Sequence, residues 1–337
     1  MRRNLFRTGI IGFLLLFTLV LAGVFFVYQM EIDVPYVCYS GPQDGIWSIG
    51  IYDLDANGRS LKLHASKDNP VLTAADVKDT PARFVADPFL IHEQDKFYLF
   101  FEVLGVDKGL IALATSADGR HWRYERVVLK EPFHLSYPCV FKWQDDYYMI
   151  PESCEVNSIR LYKATRFPYE WQFVKSIVTG RSLVDSTVLY HQGVWWLFST
   201  STGNKNLYLF SADRPEGPWR EHPRSPIVIN NTRDARSAGN ILNTGDRLIR
   251  FSQDCAKVYG QAVRGFEITK LTRDEYQERP LENNPLLKDS GTGWNGLGMH
   301  QISASPVNRG RWIAAVDGKR RSDQYTFCLG KTIFRLP

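Results

Sequence analysis

The sequence predicts an all-β protein, a five-bladed β-propeller that follows one N-terminal transmembrane helix. Three observations lead to this prediction: an uncharged apolar run near the N-terminus, an internal repeat of about 50 residues, and a pattern of four strands in each repeat. The chain has 337 residues, of which 44% are hydrophobic, so it can bury a sizeable core. The length would allow two domains, but all-β folds often exceed roughly 200 residues as one unit.

The apolar run covers residues 9–28, GIIGFLLLFTLVLAGVFFVY, and contains no charged side chain. A helix rises about 1.5 Å per residue, so a run of this length crosses a hydrocarbon core roughly 30 Å thick. The alternative is a cleavable signal peptide, which has a shorter apolar stretch and small residues at its exit. Because this run ends in bulky residues, the sequence favours an uncleaved anchor.

The charges that flank the apolar run set its expected orientation. Three arginines precede it and two acidic residues follow it, which places the N-terminus in the cytoplasm. The rest of the chain then lies on the periplasmic, lumenal or extracellular side. We therefore predict a cytoplasmic tail (1–8), a membrane anchor (9–28), a linker (29–35) and a propeller (36–337).

The repeat is clearest in three segments that align without a gap: 87–102 (DPFLIHEQDKFYLFFE), 137–152 (YPCVFKWQDDYYMIPE) and 185–200 (DSTVLYHQGVWWLFST). Each reads as a strand, a polar turn and a second strand, which is a β-hairpin signal. A third strand, another turn and a tryptophan follow each hairpin. We expect these tryptophans to pack between blades rather than to stack on sugars; they are Trp122, Trp171 and Trp219.

Two looser copies complete the ring. The fourth begins near Ser237 and the fifth near His300, where RWIAAVDG is the expected second strand and QYTFCLG the expected third. The strand at 47–54, WSIGIYDL, is expected to complete the fifth blade from the other end of the chain, since an open sheet edge is a liability.

Composition excludes several partners and cofactors. The formal net charge is only +5, and no basic cluster interleaves with exposed aromatic residues, so no nucleic-acid partner is expected. The five cysteines form no metal-ligand spacing; they are expected to be buried small residues or to form one or two disulfides. No metal site and no cofactor are predicted, although a structural calcium ion could lie in the channel.

The repeat register predicts a functional mouth. In a propeller blade the start of the first strand and the end of the second lie on the same face, so side chains from different blades meet there. Carboxylates gathered in this way raise one another's pKa values. The strand-start set is Asp87, Tyr137, Asp185, Ser237 and His300. The strand-end set is Glu102, Glu152, Thr200, Gln253 and Asp317, with Asp254 adjacent, and Arg236 joins the expected substrate contacts.

A structural role is the alternative for each of these side chains taken singly. Aspartates at strand starts often accept hydrogen bonds from exposed backbone N–H groups. His300 is either a sugar or acid–base contact or a packed core histidine. The convergence of five carboxylates from several blades nevertheless favours a functional mouth over five separate structural roles.

Two family resemblances follow from these motifs. The Asp-Pro at 87–88 resembles the head of blade one in five-bladed glycoside hydrolases of the arabinanase, xylosidase and invertase type, where that carboxylate acts as base or nucleophile. A closer resemblance is to the N-terminal propeller region of glucosamine inositolphosphorylceramide transferases and their bacterial relatives. It covers roughly 47–337 and is carried by FVADPF (84–89), YLFFEV (98–103), EPFHLSYPCVF (131–141), YMIPES (148–153), FSQD (251–254), YG (259–260) and GMH (298–300).

The resemblance implies two functions and leaves both open. In the plant transferases a separate C-terminal domain is the glycosyltransferase, and we expect no such domain here. The first hypothesis is therefore a membrane-anchored accessory module that binds a glycan or glycolipid head group, with a glycosyltransferase as a partner. The second is a glycoside hydrolase or transglycosidase. Tyr137 stands where the hydrolases have a second Asp-Pro, so its trio would be Asp87 as base, Glu152 as general acid and Asp185 as the third carboxylate. A protein-binding scaffold is the remaining alternative.

Overall fold

The computed structural model describes residues 37–40, 45–56, 60–308, 311–322, 325–329 and 332–336. The predicted tail, anchor and linker lie outside these residues. No helix in the described part combines the length and apolar character that a bilayer crossing requires. Helical structure there is confined to three short 3-10 turns, Ala74–Asp76, Cys154–Val156 and Gly293–Asn295.

The described chain begins with three strands, of which the first two pair with its C-terminal part and the third pairs with the second. They are β1 (Val37–Ser40), β2 (Ile46–Asp55) and β3 (Lys62–Ala65). Nearly every residue of β2 is buried, as expected for a strand inside a sheet that is covered on both faces.

The next three blades are four-stranded antiparallel sheets in chain order. Blade one contains β4 (Phe84–Glu93), β5 (Lys96–Leu104), β6 (Gly109–Ser116) and β7 (Arg123–Leu129). Blade two contains β8 (Ser136–Trp143), β9 (Asp146–Glu152), β10 (Ser158–Arg166) and β11 (Glu170–Thr179). Blade three contains β12 (Leu183–His191), β13 (Val194–Ser201), β14 (Leu207–Ala212) and β15 (Arg220–Glu221). The predicted hairpins at 87, 137 and 185 are thus the inner strand pairs of three consecutive blades.

Blade four is less regular than the first three. It contains β16 (Leu242–Asn243), β17 (Leu248–Asp254), β18 (Ala262–Leu271) and β19 (Tyr276–Pro280), and β20 (Leu287–Lys288) pairs with one end of β18. Near the predicted start of this blade, Ser237 forms only an isolated bridge with Ser252.

Blade five is assembled from both ends of the chain. Its inner strands are β21 (Ile302–Asn308) and β22 (Arg311–Arg320), and β2 and β3 are its third and fourth strands. The QYTFCLG segment, expected as the third strand, instead contributes β23 (Tyr325–Leu329) to a separate sheet with β1 and β24 (Thr332–Leu336). The buried β2 occupies the place beside β22, so QYTFCLG pairs elsewhere. In that separate sheet Cys328 is disulfide-bonded, whereas Cys139, Cys154 and Cys255 are free.

The ring is closed by hydrophobic packing between neighbouring blades. Five large apolar clusters occur among the described residues, and each joins one adjacent pair of blades. The cluster between blades five and one, for example, packs Ile51 and Ala315 against Val85 and Phe101. Trp122, Trp171 and Trp219 each pack against one of these clusters. The described chain is therefore an all-β, five-bladed propeller, as predicted.

Candidate active site

The first strands of blades one, two and three share one backbone irregularity. Asp87, Tyr137 and Asp185 have φ values of 53°, 45° and 49°, in the left-handed region that residues other than glycine seldom adopt. At each of these positions the pairing with the second strand shifts register, as in a β-bulge. The three residues thus occupy equivalent positions. A strained backbone of this kind costs about 1–3 kcal/mol and is often found at functional sites.

A small pocket lies where the inner strands of several blades meet. Its volume is about 230 Å³. This is below the roughly 300–1,000 Å³ of pockets that hold drug-sized ligands, so it fits one small unit such as a single sugar ring. The side chains around it are mostly polar or charged. They belong to Trp47, Phe84, Ala86, Asp87, Glu102, Leu104, His134, Ser136, Glu152, Arg236, Tyr259 and His300.

Asp87 is held between blade five and blade two. Its Oδ1 lies 3.6 Å from His300 Nε2, and its Oδ2 accepts a hydrogen bond from the backbone N–H of Tyr137 at 3.2 Å. The other imidazole nitrogen of His300, Nδ1, lies 2.7 Å from Asp317 Oδ2. Asp317 also accepts the backbone N–H groups of Asp87, His300 and Gln301 at 3.0–3.1 Å. Asp317 therefore orients both the histidine and the aspartate that face the pocket.

Glu152 and Asp185 share one arginine. The Arg236 guanidinium donates to both carboxylate oxygens of Asp185, at 2.6 and 3.2 Å, and lies 3.8 Å from Glu152 Oε2. Asp185 is almost fully buried and also accepts Gln253 Nε2 at 2.7 Å. Asp185 does not line the pocket; it acts there by fixing Arg236.

Glu102 faces a neutral histidine. The backbone N–H of Gly109 donates to His134 Nδ1 at 2.9 Å, so Nδ1 is the acceptor and Nε2 carries the proton. Nε2 lies 3.4 Å from Glu102 Oε1. Burial lowers the pKa of His134, which favours this neutral form.

Burial dominates the electrostatics of the pocket carboxyls. It raises the pKa of Asp87 to about 7, with His300 acting in the opposite direction. Burial, reinforced by the charge of Asp185, raises the pKa of Glu152 to about 7. The pKa of Glu102 is raised well above its usual value by burial and then by Asp87 and Glu152. Asp87 and Glu152 can therefore exchange protons near neutral pH, a property typical of general acids and bases.

Burial opposes the charged forms of the two cations, but their carboxylate partners outweigh it. The pKa of His300 is raised, chiefly by Asp317, and that of Arg236 is raised well above its usual value, chiefly by Asp185. The pocket therefore has two cationic side chains set among the acidic ones.

The structure brings five of the predicted site residues to the pocket wall: Asp87, Glu102, Glu152, Arg236 and His300. Seven others lie outside the wall: Asp185, Tyr137, Thr200, Ser237, Gln253, Asp254 and Asp317. Thr200 and Ser237 bond to each other, with the Ser237 N–H donating to Thr200 Oγ1 at 3.3 Å. The Tyr137 side chain is fully buried and its hydroxyl bonds to Thr187 and Gly239. Gln253 donates to Asp185, and Asp317 contacts His300 and the Asp87 N–H, but neither side chain lines the pocket. Asp254 caps a loop by accepting the Ala256 N–H at 3.0 Å.

Seven of the twelve wall residues were not predicted from the sequence, and three of these seven contact the charged side chains of the pocket. Trp47 stacks on the His300 ring, with centroids 3.9 Å apart and planes at 16°. Tyr259 meets the same ring edge-on at 5.4 Å, and Arg236 lies over the Tyr259 ring. His134 completes the set. Tyr259 and His134 fall within motifs that carry the family resemblance, which is the signal that could have identified them.

One group of described residues has ligand atoms close enough to hold a cation. The ligand atoms of Asp87, His300 and Asp317 lie within 4.8 Å of one another. Calcium takes about six to eight oxygen ligands. This group offers an imidazole and two carboxylates, and three of the four carboxylate oxygens already accept backbone N–H groups, so these residues do not fit the structural calcium considered from the sequence.

The sequence of this chain matches a known protein family. Residues 40–319 match the model of the family described as glucosamine inositolphosphorylceramide transferase 1, N-terminal. The chain belongs to this family. Its relatives include glucosamine inositolphosphorylceramide transferase 1 of Oryza sativa subsp. japonica, 36% identical over 301 residues that cover 82% of this chain and 40% of the relative. The Arabidopsis thaliana protein of the same name is 34% identical over 303 residues, 82% of this chain and 39% of that protein.

The chain thus spans about two fifths of the length of these transferases. Among solved structures, a β-1,2-mannobiose phosphorylase from Listeria innocua has a TM-score of 0.58 at 12% identity and covers 80% of this chain and 96% of its own. A glycosyl hydrolase from Bacteroides ovatus has a TM-score of 0.55 at 10% identity, covering 80% and 91%. At such low identity these likenesses show that the fold is shared.

Proposed function

We propose that the pocket binds a sugar unit of a glycan or glycolipid head group, and that the chain is a membrane-anchored accessory module in glycan or glycolipid biosynthesis. The observation that carries this proposal is the convergence of charged and polar side chains from blades one, two, four and five on one pocket of about 230 Å³. Carboxylates accept hydrogen bonds from sugar hydroxyls, and aromatic edges cover the apolar faces of a ring.

The membrane location, the ligand class and the partner in this proposal are inferred from the sequence and from the family. The apolar run at 9–28 would anchor the propeller on the periplasmic, lumenal or extracellular face of a membrane. Relatives named for a transferase that acts on inositolphosphorylceramide support a glycolipid head group as ligand. The proposed partner is a glycosyltransferase, since the family model that this chain matches describes the N-terminal region of a transferase.

The test is glycan binding by the full chain in detergent. Binding to a glycan panel, followed by titration of the best ligand, should show affinity that Glu102→Gln lowers by about fivefold, since a typical hydrogen bond contributes about 0.5–1.5 kcal/mol. Glu282→Gln, at an exposed position, is the matched control. Absence of binding across the panel, or equal loss in both variants, would refute the proposal.

A second candidate is catalysis at a glycosidic bond, favoured by one specific observation. Asp87 and Glu152 come from different blades, face the same pocket, and both have their pKa raised to about 7. Asp87 would act as base and Glu152 as general acid, while Asp185 would position Glu152 and raise its pKa.

This candidate predicts turnover on a bound glycan with a bell-shaped pH dependence. Asp87→Asn and Glu152→Gln should each lower kcat by about 100-fold or more and remove one limb of the profile. If a glycan binds but neither hydrolysis nor transfer products form, the accessory role stands and the catalytic one fails.

A further inference from the structure

A second, larger cavity lies between blades five and one. Its volume is about 980 Å³, and it is formed by residues of β2, the 70–75 loop, the start of β4, the 291–297 loop and the end of β22. We call it the arginine groove, because Arg83, Arg320 and Arg321 all line it.

The charge on the arginine groove is of one sign. No aspartate or glutamate is among its lining residues. Arg83 and Arg321 form no ion pair with any carboxylate in the described part of the chain. Asp76, beside the lining residue Ala75, turns back to accept the backbone N–H and hydroxyl of Thr73 at 2.8 and 2.9 Å. The groove is therefore electropositive, because no carboxylate lines it and none pairs with Arg83 or Arg321 in the described part of the chain.

An indole forms one wall of this groove. Trp294 is half-buried and lies against two glycines on neighbouring strands, Gly50 and Gly318. A Cβ at Gly50 would come within 2.6 Å of the indole, and one at Gly318 within 2.4 Å. The two glycines thus create the slot that holds the ring beside the guanidinium groups.

The arginine groove adjoins the candidate active site. Along β2, Trp47 lines the pocket, whereas its neighbours Ile46 and Ser48 line the groove. On β4 and the residue before it, Phe84 lines the pocket and Arg83 the groove. Successive residues of a strand face opposite sides, so the first residues of β2 and β4 separate the two cavities. One ligand would reach both cavities by passing over these strand starts.

We propose that the arginine groove binds a phosphate group of the ligand whose sugar unit occupies the pocket, so that the two cavities together select phosphorylated glycans or head groups. A guanidinium is planar and pairs with phosphate oxygens through two parallel N–H bonds, and a phosphate has enough acceptor oxygens for more than one such pair. The proposal rests on the proposed sugar-binding function, and its phosphate could belong to a lipid head group or to a soluble sugar phosphate.

The experiment compares three soluble probes on the full chain in detergent: glucose, glucose 1-phosphate and inorganic phosphate. We expect glucose 1-phosphate to bind at least about tenfold more tightly than glucose. The double variant Arg83→Gln/Arg321→Gln should remove this advantage and the binding of phosphate, while glucose binding stays unchanged. The control Arg214→Gln/Arg220→Gln removes two exposed arginines of blade three and should change none of the three affinities.

Mixed micelles with and without phosphatidylinositol distinguish the two sources of phosphate. Preferential binding of phosphatidylinositol that is lost in the groove variant indicates a lipid head group; binding of the soluble probes alone indicates a sugar phosphate. If neither form of phosphate binds, or if the groove and control variants behave alike, the proposal is overturned. If the chain binds glucose and the groove variant binds phosphate as tightly as the unmodified chain does, the groove proposal fails and the pocket proposal stands. If the chain binds phosphate but no sugar, the pocket proposal fails.

Discussion

The Asp87 carboxylate accepts the backbone N–H of Tyr137, so blade one holds the strained start of blade two. Asp317 does the same for the N–H of Asp87, which links blade five to blade one. Asp87 uses Oδ2 for this link and has Oδ1 3.6 Å from His300 Nε2, whereas Asp317 uses Oδ2 both for the Asp87 N–H and beside His300 Nδ1. The structural role considered from the sequence is therefore filled by Asp87 and Asp317, and Asp87 also lines the pocket.

The stability of the fold should fall as the pH rises from about 4 to about 7.5. Burial raises the pKa of Asp87 and of Glu152 to about 7, so the folded chain keeps protons that the unfolded chain has released above pH ~4. Their stabilising contribution is complete below the unfolded pKa and is lost as the pH passes the folded pKa. Thermal unfolding between pH 4.5 and 8 measures this slope. Asp87→Asn should flatten it, whereas Asp274→Asn at an exposed turn should not.

Replacing Tyr137 by Phe should cost about 1–3 kcal/mol of unfolding free energy and leave ligand affinity nearly unchanged. The hydroxyl lies outside the pocket, accepts the Gly239 N–H at 2.6 Å and bonds to Thr187 at 2.7 Å. Its loss leaves the buried Gly239 N–H without this acceptor, while the Gly239 carbonyl keeps the Thr187 hydroxyl. Chemical denaturation and ligand titration separate the two effects; a large loss of affinity at unchanged stability would instead give Tyr137 a direct contact with ligand.

Arg236→Gln should destabilise the fold by about 3–5 kcal/mol, because it leaves Asp185 charged and buried without its partner. The double variant Arg236→Gln/Asp185→Asn removes both charges and should recover a substantial part of that loss. Arg166→Gln breaks an exposed pair with Glu170 and should cost less than about 1 kcal/mol. Denaturant midpoints at constant slope give the comparison, and an unrescued double variant would contradict the buried-charge explanation.

Gly239→Ala should prevent normal folding or lower stability by several kcal/mol. Gly239 has a φ of +116°, and a Cβ there would lie 1.8 Å from the Ile302 carbonyl oxygen, a backbone atom that cannot yield without opening the contact between blades four and five. Gly203→Ala is the control, since nothing lies within 4 Å of its Cβ position. Soluble yield and the midpoint of thermal unfolding report the difference; similar behaviour of the two variants would show that the contact is adaptable.

The repeat register predicted what depends on the backbone, namely the blades and the equivalence of Asp87, Tyr137 and Asp185. It could not predict where each side chain turns. Tyr137 points into the apolar cluster between blades two and three, and Asp185 turns to Arg236, because those rotamers depend on neighbours far away in sequence. His134 lies in a loop outside the repeated hairpins, and so does Tyr259.

Blade five shows a similar limit. The sequence indicated that 47–54 joins this blade, but the expectation that QYTFCLG is the third strand was wrong. Both segments have the same short, alternating character, and it is β2 that pairs with β22. The fourth strand, β3, has only four residues and follows a loop, so no repeat signal marked it.

The strand β2 both closes the ring and supplies Trp47, the residue that stacks on His300. Ring closure and the aromatic support of this histidine are therefore a single event during folding. A chain in which the four other blades have formed but β2 has not yet docked would have its pocket carboxylates already gathered, yet would lack one wall. Ligand binding should consequently depend on the last step of assembly, the docking of β2 beside β22. A ligand that contacts Trp47 would stabilise the pairing between the two ends of the propeller.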